Sequence, residues 1–361
     1  MKITLLVPQS GHSFVNQAQA LTLGFKELGH ETSVVRVEKE FQVSKLQMAE
    51  PDVIIAVGSW VHYRELIEGP KSAGFRVVPW LVSDDQVDRL HDELNHLPVL
   101  LTTSNHCRSI FLRDGVTTQI AVIPEAVDDT FWKPLGWEDV EPVAELLSVR
   151  EKGISLPPRF DIVRLKKEGV PILFTTGGDA TSKGALEVIH ALGAIHASDP
   201  NMPWIYLLKT WPAAGSLQRS ADELELAAGF GIADRIRYVV GEYSREFLRG
   251  LMNLCDIYVA PSRSEGFGLP LVEAQLCGKP AVGLAATASG ETIVDGKTGF
   301  IIRADTASDQ PRADIGRLTE ILSKLLLDTS LRTQLGKQTR LHARKTYAPT
   351  IIANKFLPYI T

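Results

Sequence analysis

Two glutamates separated by seven residues, Glu265 and Glu273, flank a glycine loop in Ala260-Pro-Ser-Arg-Ser-Glu-Gly-Phe-Gly-Leu-Pro-Leu-Val-Glu-Ala-Gln-Leu-Cys-Gly278. An apolar strand ends near Ala260, Pro270 suits the first turn of a helix, and Gly278 suits its C-terminal stop. The loop thus opens a helix, where free N–H groups and the helix dipole favour an anion. Gly266 and Gly268 let a ligand approach the backbone closely. Along the helix Leu269, Val272 and Leu276 share a face, and Glu273 projects close to it. A carboxylate there needs partners, since burial without hydrogen bonds costs several kcal/mol. It is either a structural ion pair or helix N-terminal charge, or the acceptor of two hydrogen bonds from a diol such as a ribose, with Glu265 meeting a second polyol. A second loop, Thr175-Thr-Gly-Gly-Asp-Ala-Thr-Ser-Lys-Gly184, follows another strand and offers N–H groups from Gly177 to Ser182 beside the charge of Lys183. Ser182 stands where a Walker A loop needs glycine, so this is an anion loop of a different kind.

With these residues in view, Ser262–Gly278 resembles the E-x7-E signature of the retaining glycosyltransferases of family 4, whose GT-B fold is two facing Rossmann-like domains. Asn253-Leu-Cys-Asp-Ile-Tyr-Val-Ala-Pro-Ser262 is similar to the strand before that signature, and Gly290-Glu-Thr-Ile-Val-Asp-Gly-Lys-Thr-Gly-Phe-Ile-Ile302 to the segment after it. Gly29-His30-Glu31 and Ile123-Pro-Glu-Ala-Val-Asp-Asp-Thr-Phe-Trp-Lys-Pro134 resemble first-domain motifs in the family's order. The resemblance implies that Glu273 binds the donor ribose, that Glu265 meets the sugar hydroxyls, and that Lys183 stabilises the leaving phosphate. Gly266, Phe267, Gly268 and Leu269 would line the donor, and Tyr243, in Gly241-Glu-Tyr-Ser-Arg245, would lie near the nucleobase. Both UDP- and GDP-sugars remain open as donors. The Thr175–Gly184 loop is similar to the family's GR-x-x-x-KG loop at Lys183 and Gly184, but the arginine position falls on Gly177 or Gly178. Arg263 is either the replacement charge or a surface arginine.

On the acceptor side the resemblance points to Gly11, in the loop Pro8-Gln-Ser-Gly-His12 after the first strand. The loop after the fourth strand, Val78-Pro-Trp-Leu-Val-Ser-Asp-Asp85, has no histidine where many members carry one. Asp84 takes that place or caps a helix starting near Gln86. His62, after the third strand, is a further polar group there. His91 and His96 are five apart where one helix face needs four, and the chain has no Asp-x-Asp, so no metal or other cofactor is expected. Rival readings are a sugar-nucleotide epimerase or hydrolase on the same fold, and a non-catalytic nucleotide-sugar-binding protein. A dinucleotide dehydrogenase is disfavoured because Leu271 stands where G-x-G-x-x-G needs its third glycine.

The elements that must hold these residues follow from periodicity. Short apolar runs at Ile3–Val7, Thr32–Val37, Val53–Val57, Arg76–Val82, Val99–Thr103 and Ile120–Ile123 alternate with helix-length amphipathic stretches. That pattern predicts a doubly wound α/β domain with a parallel sheet. It restarts at Pro171–Thr176, Trp204–Leu208, Ile236–Val240, Ile257–Ala260, Pro280–Leu284 and Phe300–Ile302, and after Asp309 it reads as helical to the end apart from Pro349. The expected domains are 1–160, an acceptor-side half with a linker over 136–170 containing a short helix, and 168–345, a donor-binding half. A C-terminal helix over 346–361 returns to the first, and a deep cleft separates the two halves.

At 361 residues, 44% hydrophobic and 22% charged, the chain has the composition of a globular protein with ample core. The formal net charge of -5 disfavours nucleic acid, and the acidic excess falls wholly within Met1–Pro134, which disfavours docking on anionic lipid. Cys107, Cys255 and Cys277 are too scattered for a disulfide framework or zinc site, and no apolar run is long enough to span a bilayer. A cytoplasmic enzyme with an unidentified acceptor and an undetermined oligomeric state is expected.

Overall fold

The computed structural model describes residues 1–9, 11–37, 43–148, 161–178, 181–211, 214–305 and 311–361. Residues 149–160 of the expected linker, and Asp179 and Ala180 of the second glycine loop, lie outside the described residues. The chain forms two compact units. One is Met1–Phe131 with Glu265–Leu269 and Ala343–Thr361; the other is Trp132–Ser264 with Pro270–His342.

In the first unit six parallel strands, β1 (Lys2–Pro8), β2 (Glu31–Val37), β3 (Val53–Ser59), β4 (Val77–Val82), β5 (Leu100–Thr102) and β6 (Ile120–Val122), lie in the order β2-β1-β3-β4-β5-β6. Alternate residues fill alternate faces: Leu5, Val7, Ile55 and Val57 enter one core, and Leu6, Ile54 and Ala56 the other. Such double burial is why these strands read as continuous apolar runs. In the second unit β7 (Ile172–Thr176), β8 (Ile205–Thr210), β9 (Ile236–Val240), β10 (Ile257–Ala260), β11 (Ala281–Leu284) and β12 (Gly299–Ile302) pair in parallel in the order β12-β11-β10-β7-β8-β9. Strand order reverses at β1/β3 and at β7/β10. Loops at the carboxyl ends diverge there, which is where open α/β sheets hold ligands.

Three expectations need correction. The segment over 136–170 holds two helices among its described residues, Trp137–Leu147 and Ile162–Lys167, in place of one. The chain after Asp309 is not helical at once. Arg312–Ala313 first pairs antiparallel with Ala304–Asp305, and helix Ile315–Leu327 starts only after Asp314 caps it by accepting the Arg317 N–H at 3.0 Å. Strand β8 also runs past its expected end at Leu208 to Lys209 and Thr210, although a lysine is an unusual residue for a buried strand.

The last helix, Pro349–Ile360, begins at the proline expected to interrupt or restart the helix, and its Ile352, Ala353, Phe356 and Ile360 are fully buried. Phe356 meets Trp80 edge-on at 5.1 Å, and Arg76 donates to the Ile360 carbonyl at 2.9 Å. This helix crosses helix His12–Glu27 at Gly24, where an added Cβ would overlap the Pro349 carbonyl. Gly24→Ala should therefore force the two helices apart and destabilise the protein by roughly 1–3 kcal/mol, read as a lower denaturant midpoint at unchanged slope. A neutral or stabilising Gly24→Ala would show that the crossing is slack. Among the described residues no helix is long and apolar enough to cross a membrane.

Candidate functional site

In the second unit the site grows from the end of β7. The Thr175 hydroxyl donates to the Val259 carbonyl and is itself hydrogen-bonded to the Tyr206 hydroxyl at 2.7 Å, tying β7 to both neighbours. The chain then turns through Gly177 and Gly178, at φ of +114° and +59°, a region open to glycine at little cost. The Gly177 N–H donates to the Lys209 carbonyl at 2.8 Å, the Thr181 hydroxyl donates to the Gly177 carbonyl at 2.7 Å, and the Lys183 N–H donates to the Gly178 carbonyl at 3.1 Å. Gly184, at φ +75°, starts helix Ala185–Ser198, and no side chain would fit there against Pro261. The Arg263 N–H donates to the Ser182 carbonyl at 2.8 Å, so the loops after β7 and β10 are stitched together.

Arg263 is not a surface arginine. Its side chain is 10% exposed, and its guanidinium donates to both oxygens of Glu187, at 3.1 and 3.0 Å, with Arg312 sharing the same carboxylate. Its charge is thus neutralised by a buried carboxylate 76 positions earlier in the chain, a pairing no local pattern announces.

Glu273 lies in helix Leu269–Leu276, whose Val272 and Leu276 are buried. The residue is partly exposed, yet its carboxyl group is enclosed and has no hydrogen-bond partner among the described residues. Burial pushes its proton affinity up to about 7, against a smaller lowering by the positive charge of Arg245. Tyr243 folds back over Gly241, donating to the Val240 carbonyl at 3.1 Å and stacking on Phe247 with ring centres 4.4 Å apart. Lys209, absent from the sequence reading, is buried at the end of β8 with its ammonium over the Trp211 ring. The available signal was a lone charge closing an apolar run.

In the first unit the segment Glu265–Leu269 is anchored by one carbonyl. Gly266 C=O accepts from the hydroxyls of Thr103 at 3.0 Å and Ser104 at 2.8 Å and from the Cys107 thiol at 3.2 Å. A Cβ on Gly266 would overlap the Asp84 carboxylate, so Asp84 does stand against this loop. It does not cap a helix near Gln86, because the next helix is His91–Asn95. Phe267 is buried edge-on against Tyr347 at 5.5 Å, Gly268 turns the chain at φ +94°, and Leu269 and Glu265 are half-buried. Gly11, at φ +101°, heads helix His12–Glu27, with Phe14 closing over it. The same Phe14 ring meets His62 edge-on at 5.7 Å. His62 Nδ1 accepts the Ser59 N–H at 3.2 Å, which leaves the ring proton to Nε2, and burial lowers the proton affinity of the ring. His91 and His96 each bond a backbone carbonyl four residues earlier, and no group of three metal-ligating side chains occurs among the described residues.

Residues 160–342 match the family described as glycosyl transferases group 1. The chain belongs to this family. Among its relatives, the D-inositol 3-phosphate glycosyltransferase of Salinispora arenicola is 27% identical over 232 residues, 64% of this chain and 47% of that one. That of Nocardia farcinica is 25% identical over 220 residues, 57% and 47% of the two chains. The chain thus spans about half the length of these relatives. A glycosyltransferase of Rickettsia africae shares the fold with a TM-score of 0.77 at 16% identity, over 99% of this chain and 97% of that one. HepE of Anabaena, in complex with UDP and glucose, does so with a TM-score of 0.74 at 16% identity, over 100% and 99%. Two six-stranded parallel sheets with flanking helices make this group 1 protein a GT-B fold.

Proposed function

We propose that this group 1 protein is a retaining, metal-independent glycosyltransferase of family 4 that uses a nucleoside diphosphate sugar, with UDP-sugars as first choice of donor. The observation that carries this is Glu273: an enclosed carboxylate without a hydrogen-bond partner among the described residues, on the helix opened by a glycine loop. A ribose diol offers the two O–H donors that such a carboxylate lacks. The preference for UDP over GDP draws on the UDP complex of HepE. Lys183 would stabilise the diphosphate, and Glu265 the sugar hydroxyls beside the reacting carbon.

In the reaction the bond from the anomeric carbon to the β-phosphate oxygen breaks as the acceptor oxygen bonds that carbon on the same face. The acceptor's proton passes to a phosphate oxygen. Positioning and charge stabilisation carry the catalysis, without a covalent intermediate on the protein. The acceptor is unidentified. Thermal-shift measurements with UDP-, GDP- and ADP-sugars test the donor: at one hundred times the dissociation constant the right one should add about 2.7 kcal/mol of stability. No shift with any of them would overturn the proposal. Donor consumed rapidly without acceptor would point to an epimerase or hydrolase instead.

A further inference from the structure

The penultimate residue of strand β8 is a lysine whose burial has no structural compensation of the usual kind. Lys209 is 3% exposed. It stands opposite Thr176 across the β7–β8 pair, and its carbonyl holds the Gly177 N–H, so it lies at the foot of the glycine loop. Its ammonium makes no hydrogen bond or ion pair among the described residues and sits 3.6 Å from the centre of the Trp211 ring. A desolvated cation–π contact is favourable but is weaker than the cost of removing an ammonium from water. The shortfall shows in its proton affinity, which burial lowers to about 8 against the opposing field of Glu242. A buried cation short of anions, beside glycines at the carboxyl end of a strand, is prepared for an anionic ligand.

We infer that Lys209 supplies the second positive charge for the donor diphosphate, replacing from the neighbouring strand the arginine that the glycine loop lacks. This rests on the nucleotide-sugar reading above. Gly177 and Gly178 carry no side chain over the foot of the loop, so an ammonium from β8 can serve where a guanidinium from the loop would otherwise reach. Arg263 is held by Glu187 and leaves that role open. Lys183 contributes from the far end of the loop and Lys209 from its base, so the diphosphate meets two cations carried by different elements.

Titration of uridine, followed by NMR, and of UDP, followed by calorimetry, separates base and ribose contacts from phosphate contacts. Lys209→Met should weaken UDP at least tenfold, leave uridine unchanged, and leave the melting temperature of the ligand-free protein unchanged or higher, because an uncompensated buried charge is gone. Lys183→Met provides the comparison and should show the same selectivity for UDP. UDP affinity within twofold of wild type in Lys209→Met would overturn the inference, as would equal losses for uridine and UDP, which would mark a packing role through Trp211. If wild-type protein binds none of UDP, GDP and ADP, the donor reading itself fails and this inference fails with it.

Discussion

A Glu265→Ala protein is expected to transfer sugar about 10²- to 10³-fold more slowly than wild type, with its fold and most of its nucleotide affinity intact. The size follows from what the carboxylate is asked to do. On the proposed reading it would meet hydroxyls of the donor sugar beside the carbon where positive charge develops, so its contribution would grow as the bond to phosphate breaks, and an interaction that grows in this way raises turnover more than binding. The local structure makes that contribution available without reorganisation. The adjoining Gly266 carbonyl is fixed by Thr103, Ser104 and Cys107, and Gly266 packs so closely on Asp84 that an added Cβ would overlap its carboxylate. Turnover with a UDP-sugar and a surrogate acceptor, set beside the UDP dissociation constant, checks this. A rate within threefold of wild type, or a loss of UDP affinity matching the loss of rate, would remove Glu265 from the reacting end of the donor.

What could be read ahead of the structure were features set by local rules. Buried parallel strands are apolar on both faces, so β1, β3, β7 and β10 announce themselves, and glycines such as Gly177, Gly184 and Gly268 mark turns because their φ values exclude most side chains. Pro349 likewise marks a helix start. The misses are long-range. Arg263 looks like a surface residue until Glu187, 76 positions earlier, is found against it. The three donors on Gly266 come from a segment some 160 positions away. Asp84 has the right composition for a helix cap, but no helix follows it before His91, and the carboxylate stands against Gly266 instead. Lys209 gives no signal of its burial in the sequence because a charged residue normally ends a buried strand, whereas here it is carried inside it.

Glu273→Gln should stabilise the ligand-free protein at pH 8 and impair nucleotide binding at the same time. Unfolded, this glutamate ionises near its ordinary 4.5; folded, burial holds it protonated up to about 7. Below about pH 4.5 both states carry the proton and the carboxyl has no effect on the pH dependence of stability. Between those values the unfolded chain ionises while the folded one does not, so stability falls as pH rises, and above about 7 the full penalty is present. Its ceiling is on the order of 3 kcal/mol. Glutamine carries no charge and escapes it, although its amide still lacks partners, so the gain at pH 8 stays below that ceiling and vanishes near pH 4. Denaturant unfolding of both proteins at the two pH values measures the difference directly. Ligand then reverses the ranking. Ribose hydroxyls that donate to the carboxylate favour its ionised form, so UDP should stabilise wild type more at pH 8 than at pH 5, and the Gln variant much less at either. A variant no more stable than wild type at pH 8 would mean that the carboxyl is better solvated than its enclosure implies. A variant that kept full UDP affinity would detach Glu273 from the ribose. The two outcomes are separable, because the first concerns the empty protein and the second only the occupied one.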